Sequence, residues 1–424
     1  MRHLYAGFEV TFNQGSFDEL QDLVQQPHPK KALRIRYYEE CLETSDYGGE
    51  LGCKSVRCDM KPVEIAKPGK PPRLIGDFGI AAAMRGTAIM EDLKRVMADN
   101  PVVYKGFLII FVKKPNPSVL EHCFTLLRDV PPPYRGVYVY FSDDSCIAFR
   151  DKSGKIVRGN MDISSCDSSH TSYLFQAMEY VTPFEHRRHI QRLIRQCKLN
   201  VRLQSRDKSQ TVILRHKDPI LFSGSAITTF INNLANVMIA ASIADVDPDV
   251  LCQADIIPAA ATAGYVVTFE PCDDFHGLQF LKNSPMYDTQ GNLRSVLNVG
   301  VLLRAIGSCH GDLPGRGPWI DRANTFNRSL LHGMFPRARI PFVENMKLLY
   351  GDGEILPVPD LEYKVEDDGL RFDVTDEEFF MRYKLPGAYL DELLQVGSSC
   401  GSGWSINTRG SSLILEMDYG LGDL

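Results

Sequence analysis

The stretch Val137–Arg150, VYVYFSDDSCIAFR, constrains the chain more than any other. Two runs of β-branched and aromatic residues flank one polar turn. Apolar side chains alternate on both sides, so the spacing predicts a β-hairpin packed against a core. Asp143 and Asp144 sit at its tip. Ser-Asp-Asp is ordinary turn chemistry, because short polar side chains satisfy turn backbone groups, and a hairpin tip without a functional role is one reading. The other comes from its neighbours. A second acidic pair, Asp162 and Asp167, follows, then a Ser-Gly loop opening a helix with an amide stripe. Carboxylates from two neighbouring strand ends suit paired divalent cations.

Composition bounds the rest. A chain of 424 residues with 44% hydrophobic content can bury a sizeable core, and its length suggests two to three domains or subdomains. The net charge of −6 gives no global basic excess. That average hides an asymmetry: Phe184–Lys217 holds ten Lys or Arg against two acids, and Tyr350–Leu424 holds sixteen acids against five bases. A local basic track suits a phosphate backbone, and a solvated helix-and-hairpin face would look the same. The eleven cysteines are scattered, with no CxxC pair. Reduced thiols in a cytosolic protein are expected. No signal peptide opens the chain, and no apolar run approaches the roughly 20 residues that span a bilayer.

Along the chain, helices are expected near Ser16–Gln25, Lys30–Glu43, Thr87–Ala98 and Ser118–Arg128, and a strand at Phe107–Val112. Ala66–Gly79, AKPGKPPRLIGDFG, is held extended by its prolines, with Lys67, Lys70 and Arg73 projecting from it. Such a loop can grip phosphates or serve as a charged linker. After the hairpin, KIVRGNMD reads as a strand ending at Asp162. DISSCD leads to Asp167, and Ser168 or Ser169 is placed to cap a helix running to about Tyr180.

Phe222–Ile243, FSGSAITTFINNLANVMIAASI, is the most informative stretch. Ser223-Gly224 supplies a turn and the run after it is helical in period. Thr228, Asn232 and Asn236 fall at i, i+4 and i+8, a polar stripe on an otherwise apolar helix. A buried polar group without a partner costs about 1–3 kcal/mol. The stripe therefore either bonds other interior groups or faces a bound nucleotide.

VYFSDDS, GNMDISSCDSSHT and FSGSAITTFINN together resemble the palm motifs C, A and B of viral RNA-dependent RNA polymerases. KPGKPPRLIGDFG resembles motif F, AAATAGYVVTFE motif D and FLKNSP motif E. Most such polymerases run A–B–C. Here the SDD hairpin comes first, in the C–A–B order of the permuted polymerases of birnaviruses and permutotetraviruses, and SDD stands in place of the commoner GDD. A rival motif C, Cys272-Asp273-Asp274, is set aside because Pro271 would disrupt a central strand and no room for motif D remains before Phe280.

The resemblance implies an α+β right-hand polymerase fold of fingers, palm and thumb, with an antiparallel palm sheet and permuted connectivity. Fingers would be 1–136 with an insertion at 184–216, palm 137–183 and 217–285, and thumb with the C-terminal region 286–424. It implies an RNA-directed RNA polymerase in which Asp143 and Asp162, supported by Asp144, bridge two Mg²⁺ (or Mn²⁺) ions. Arg73, with Lys67 or Lys70, would neutralise phosphates. Asp167, Asn232, Ser223, Gly224 and Thr228 would receive the ribonucleotide and its 2′-hydroxyl. Lys282 resembles a primer-grip residue, and Arg187 and Arg188 would contact RNA. Motif D here holds no lysine to protonate pyrophosphate, which leaves His276 and Lys282 as candidates. Implied partners are template and nascent or primer RNA, ribonucleoside triphosphates and other viral replication proteins, in the host cytoplasm or the virion. A catalytically inactive palm-fold scaffold, a reverse transcriptase and a carboxylate-pair hydrolase are the competing classes. The Gly- and Ser-rich stretch Gly397–Ser412, with Trp404 and Arg409, reads as a mobile initiation element or a surface loop.

Overall fold

The structure, a computed structural model, describes residues 31–44, 55–60, 74–78, 80–113, 115–182, 184, 187–204, 209–306, 309, 312–357, 365–385, 389, 392 and 408–419. The expected helix at 16–25, Lys67, Lys70, Arg73 and Trp404 lie outside the described residues. The chain divides into two compact units, one of Met1–Lys113, Val130–Val157 and Met161–Glu270, the other of Lys114–Asp129, Arg158–Asn160 and Pro271–Leu424.

Strands β1 (Ser55–Met60), β2 (Leu74–Asp77), β3 (Val102–Tyr104), β4 (Phe107–Phe111), β5 (Gly136–Phe141), β6 (Asp144–Arg150), β7 (Ile156–Ile163), β8 (Asn200–Gln204), β9 (Thr211–Leu214) and β10 (Val267–Cys272) form two sheets. The larger has the order β10-β7-β6-β5-β4-β3 and the smaller β2-β1-β8-β9. Together with the helices this makes an α+β fold. The larger sheet is mostly antiparallel, but β4 and β5 run parallel. Their connection carries the helix Pro117–Asp129, and parallel neighbours need such a crossover. β5 and β6 pair antiparallel in the register Phe141↔Asp144, so Ser142 and Asp143 make the turn of the expected hairpin. Pro271 lies in β10, an edge strand of the sheet, the position where a sheet tolerates proline.

The central helix, Thr228–Ala244, packs on β4 and β5 and against the helices Ser172–Val181 and Ile256–Thr262. Its apolar residues are buried nearly all round, as a helix with so few charges requires. Tyr138, Ile147, Phe175, Ile231 and Leu234 belong to the core it completes. One expectation fails between Asp167 and Tyr180. In place of one helix capped by Ser168 or Ser169 there is a short turn of helix, Cys166–Ser169, a break at His170, and a second helix from Ser172 with Thr171 at its N-cap. His170 takes ψ 130° and leaves the helical path to bury its ring. Helix Ile80–Asp99 starts earlier than expected, because AAAM extends it at the N-terminus.

In the second unit, helices Pro117–Asp129, Trp319–Met334, Pro341–Leu349, Asp376–Tyr383 and Arg409–Tyr419 accompany the hairpin of β11 (Asn283–Tyr287) and β12 (Leu293–Leu297). Met286, Val296, Leu330, Phe342, Tyr383 and Ile414 form its core. Arg409–Ser412 is the first turn of a helix, not loop, because Thr408 Oγ1 accepts from the Ser411 N–H at 3.1 Å and Ile414 anchors the apolar face. Among the described residues no helix is long and apolar enough to cross a membrane.

Candidate functional site

Ser142, the first turn residue, has φ 57°, a left-handed conformation that costs a non-glycine residue about 1–3 kcal/mol. Three asparagines of the central helix hold it there. The Ser142 N–H donates to Asn233 Oδ1 at 2.8 Å, Asn236 Nδ2 donates to the Ser142 carbonyl at 2.5 Å, and Asn232 Nδ2 donates to Ser142 Oγ at 3.1 Å. Asn236 Oδ1 in turn accepts from the Tyr138 hydroxyl at 2.8 Å. The amide stripe therefore finds its partners inside the protein, at the SDD turn. Asn233 joins the grip although helical periodicity sets it off the stripe.

The carboxylates gather at the same end of the sheet. β6 and β7 are neighbours in the sheet, and Ser145 Oγ donates to the Met161 carbonyl at 3.4 Å; Asp144 precedes the first of these residues and Asp162 follows the second. Asp143 and Asp162 are exposed, Asp144 and Asp167 half-buried. The buried Cys166 thiol registers this: burial, then the charges of Asp143, Asp167 and Asp162, push its pKa up.

Asp167 stands on the other side of Asn232. Its Oδ1 accepts from Asn232 Nδ2 at 3.1 Å and its Oδ2 from the Ser223 hydroxyl. The Ser223-Gly224 loop is fixed by β2, whose Gly76 N–H donates to the Ser223 carbonyl at 2.9 Å. Gly224 has φ +98°, and a Cβ there would lie 2.8 Å from the Gly76 carbonyl oxygen, so only glycine fits. Thr228 Oγ1 donates to the Phe222 carbonyl at 2.8 Å and braces the loop rather than joining Asp167. Asp143, Asp144, Asp162, Asp167, Ser223 and Asn232 are thus brought together.

Sequence reasoning missed His170. Its Nε2 lies 2.7 Å from Asn232 Oδ1 and its Nδ1 3.2 Å from the Tyr265 hydroxyl, and burial lowers its pKa. A histidine between two serines and a threonine carries no local signal of that contact.

Other candidates stand apart. Arg187 and Arg188 open the basic helix Arg187–Gln196. With Glu179, Tyr180, Phe184 and Gln191 they line a surface cavity of about 510 Å³. The Arg187 guanidinium lies 5.8 Å from the Phe184 ring centroid, and Tyr180 and Phe184 are 65% and 81% exposed, an arrangement of aromatic faces and cations. Lys282, in the second unit, donates to the Asp418 carbonyl at 2.6 Å and lies 4.5 Å from the Tyr419 ring centroid, on the C-terminal helix. His276 is buried with Nε2 3.1 Å from Glu378. Asp273 faces solvent and pairs with Lys384 at 2.8 Å.

Among the described residues no three His, Cys, Asp or Glu side chains gather closely enough to cage a metal ion. The exposed pair Asp143 and Asp162 fits a different mode, in which Mg²⁺ takes one or two carboxylates and fills its shell with substrate phosphates and water. An all-oxygen donor set suits that hard cation.

No protein-family model matches the sequence, and no curated protein matches it. Among solved structures, the X-ray structure of the birnavirus VP1–VP3 complex is similar at a TM-score of 0.41 and 12% identity, over 80% of this chain and 46% of that one. The chain spans about half the length of that neighbour.

Proposed function

We propose that the chain is an RNA-dependent RNA polymerase with permuted C–A–B palm motifs, adding ribonucleotides to an RNA 3′-end. The observation that carries the reading is the side chain of Asn232. One amide bonds both Ser142 of the SDD turn and Asp167, and so ties the three motif stretches into one site. In this reading 137–183 and 217–285 supply the palm, 1–136 and 184–216 the fingers, and 286–424 the thumb and C-terminal region. Its place is a viral replication complex in the host cytoplasm, or the virion.

Asp143 and Asp162, with Asp144 in support, would hold Mg²⁺ or Mn²⁺. When bound, these ions supply activation of the 3′-hydroxyl and charge stabilisation at the leaving pyrophosphate. The chain's own residues do the rest. Asp167 is an acceptor-only carboxylate whose two oxygens are fixed by Asn232 and Ser223, and its remaining lone pairs accept the ribose 2′-hydroxyl. Arg73, with Lys67 or Lys70, would neutralise the triphosphate, since a guanidinium offers phosphate a bidentate fork. Arg187 and Arg188 bind RNA phosphates while Tyr180 and Phe184 offer stacking faces. Lys282, whose ammonium gives one N–H to the Asp418 carbonyl, would contact RNA through its remaining donors.

Primer extension on an RNA template with Mg²⁺ tests the reading. Template-directed addition of ribonucleotides in strong preference to deoxyribonucleotides is expected. RNA binding without addition in either Mg²⁺ or Mn²⁺ would favour the inactive scaffold.

A further inference from the structure

We infer that His170 is a positioning residue for sugar discrimination, acting through Asn232 on Asp167; the inference rests on the polymerase reading above. The hydrogen bonds allow one assignment. Asp167 only accepts, so the Asn232 edge facing it at 3.1 Å is Nδ2, and the second Nδ2 hydrogen goes to Ser142 Oγ at 3.1 Å. Asn232 Oδ1 is left to accept, and the group against it at 2.7 Å is His170 Nε2. His170 must therefore carry its hydrogen on Nε2. Nδ1 then accepts from the Tyr265 hydroxyl at 3.2 Å, which fixes both tautomer and ring plane.

The site is enclosed. His170 is 9% exposed, Asn232 2% and Tyr265 5%. Cys166 Sγ lies 3.8 Å from Nε2, and Asp167 is the nearby charge acting on the ring. The break between the two helices at His170 is what turns the ring inward.

The consequence concerns the orientation of the Asn232 amide. While Nε2–H holds Oδ1, the amide presents N–H to Asp167. Without that donor, Oδ1 is buried and unpaired, and the Asn232 side chain loses the contact that fixes its rotamer. As the amide moves off, Asp167 loses the N–H that aims its carboxylate at the sugar. A ribonucleotide loses its 2′-hydroxyl acceptor, and a deoxyribonucleotide loses nothing. Both neutral and cationic imidazole keep hydrogen on Nε2, so the preference stays flat between about pH 6 and 8.

The test measures kcat/KM for ATP and dATP in Mg²⁺-dependent primer extension, for wild type, His170→Leu and His170→Gln. His170→Leu removes the donor and narrows the ATP:dATP ratio about ten-fold. His170→Gln places an amide N–H near the Nε2 position and stays within about three-fold of wild type. Tyr265→Phe frees the tautomer, narrows the ratio by an intermediate factor, and gives the reading if His170→Leu does not fold. An unchanged ratio in folded His170→Leu, or in Tyr265→Phe where His170→Leu fails to fold, overturns the inference. So does an equal loss for both nucleotides, the mark of a merely structural role. Wild type that adds neither nucleotide overturns the polymerase reading itself.

Discussion

Ser142 carries the strain of the site and also the means of relieving it. Its left-handed φ of 57° favours glycine, yet its hydroxyl accepts from Asn232. Ser142→Ala keeps the strain and loses the bond, and should cost about 1–2 kcal/mol. Ser142→Gly loses the bond and sheds the strain, and should stay within about 1 kcal/mol of wild type. Urea unfolding checks the order; alanine more stable than glycine would contradict the clamp. The Asn233 contact shows why the sequence reads this residue poorly. Periodicity puts Asn232 and Asn236 on one stripe and Asn233 off it, which invites treating Asn233 as neutral. A turn residue presents its N–H and its hydroxyl in different directions, however, and two helix faces reach it.

At the scale of elements, the hairpin was legible because alternation and a polar turn occur together, and the central helix because few other elements bury such an apolar run. The split of the helix at His170 was not, since SSCDSSHTS offers several capping residues and only a tertiary bond selects among them. The junction of β2 with the Ser223-Gly224 loop was likewise hidden, being a pairing across distant sequence. It predicts that Gly224→Ala, strained at φ +98° and crowded by the Gly76 carbonyl, loses about 1–3 kcal/mol and depresses nucleotide addition by loosening Ser223 from Asp167. Normal stability and normal addition in Gly224→Ala would contradict that junction. His170 also sets a pH dependence. Its folded pKa is held below the ordinary value of about 6.5, so in that window the unfolded chain binds a proton that the folded chain refuses. Stability is therefore fully present above pH 6.5 and falls as pH drops through the window to the folded pKa. The fall in Tm between pH 7.5 and 5.5 should be smaller in His170→Gln than in wild type, and an equal fall would remove this linkage.

Across the whole molecule, net charge and composition say little, because the acidic second unit conceals the basic helix Arg187–Gln196. The acids proposed to serve the site differ from the others in their surroundings. Asp143 and Asp162 share the sheet end with Asp167 around Cys166, whereas Asp273 lies beyond edge strand β10 and pairs with Lys384 in solvent. Transition-state charge held by a metal carboxylate is worth several kcal/mol, and about 4 kcal/mol corresponds to roughly 10³ in rate. The decisive measurement is the rate of Mg²⁺-dependent ribonucleotide addition by Asp143→Ala, Asp162→Ala and Asp273→Ala beside wild type, each shown to be folded. Loss of at least about 10³ is expected in the first two and a near-wild-type rate in the third. Activity that survives Asp143→Ala and vanishes in Asp273→Ala would contradict the permuted C–A–B reading.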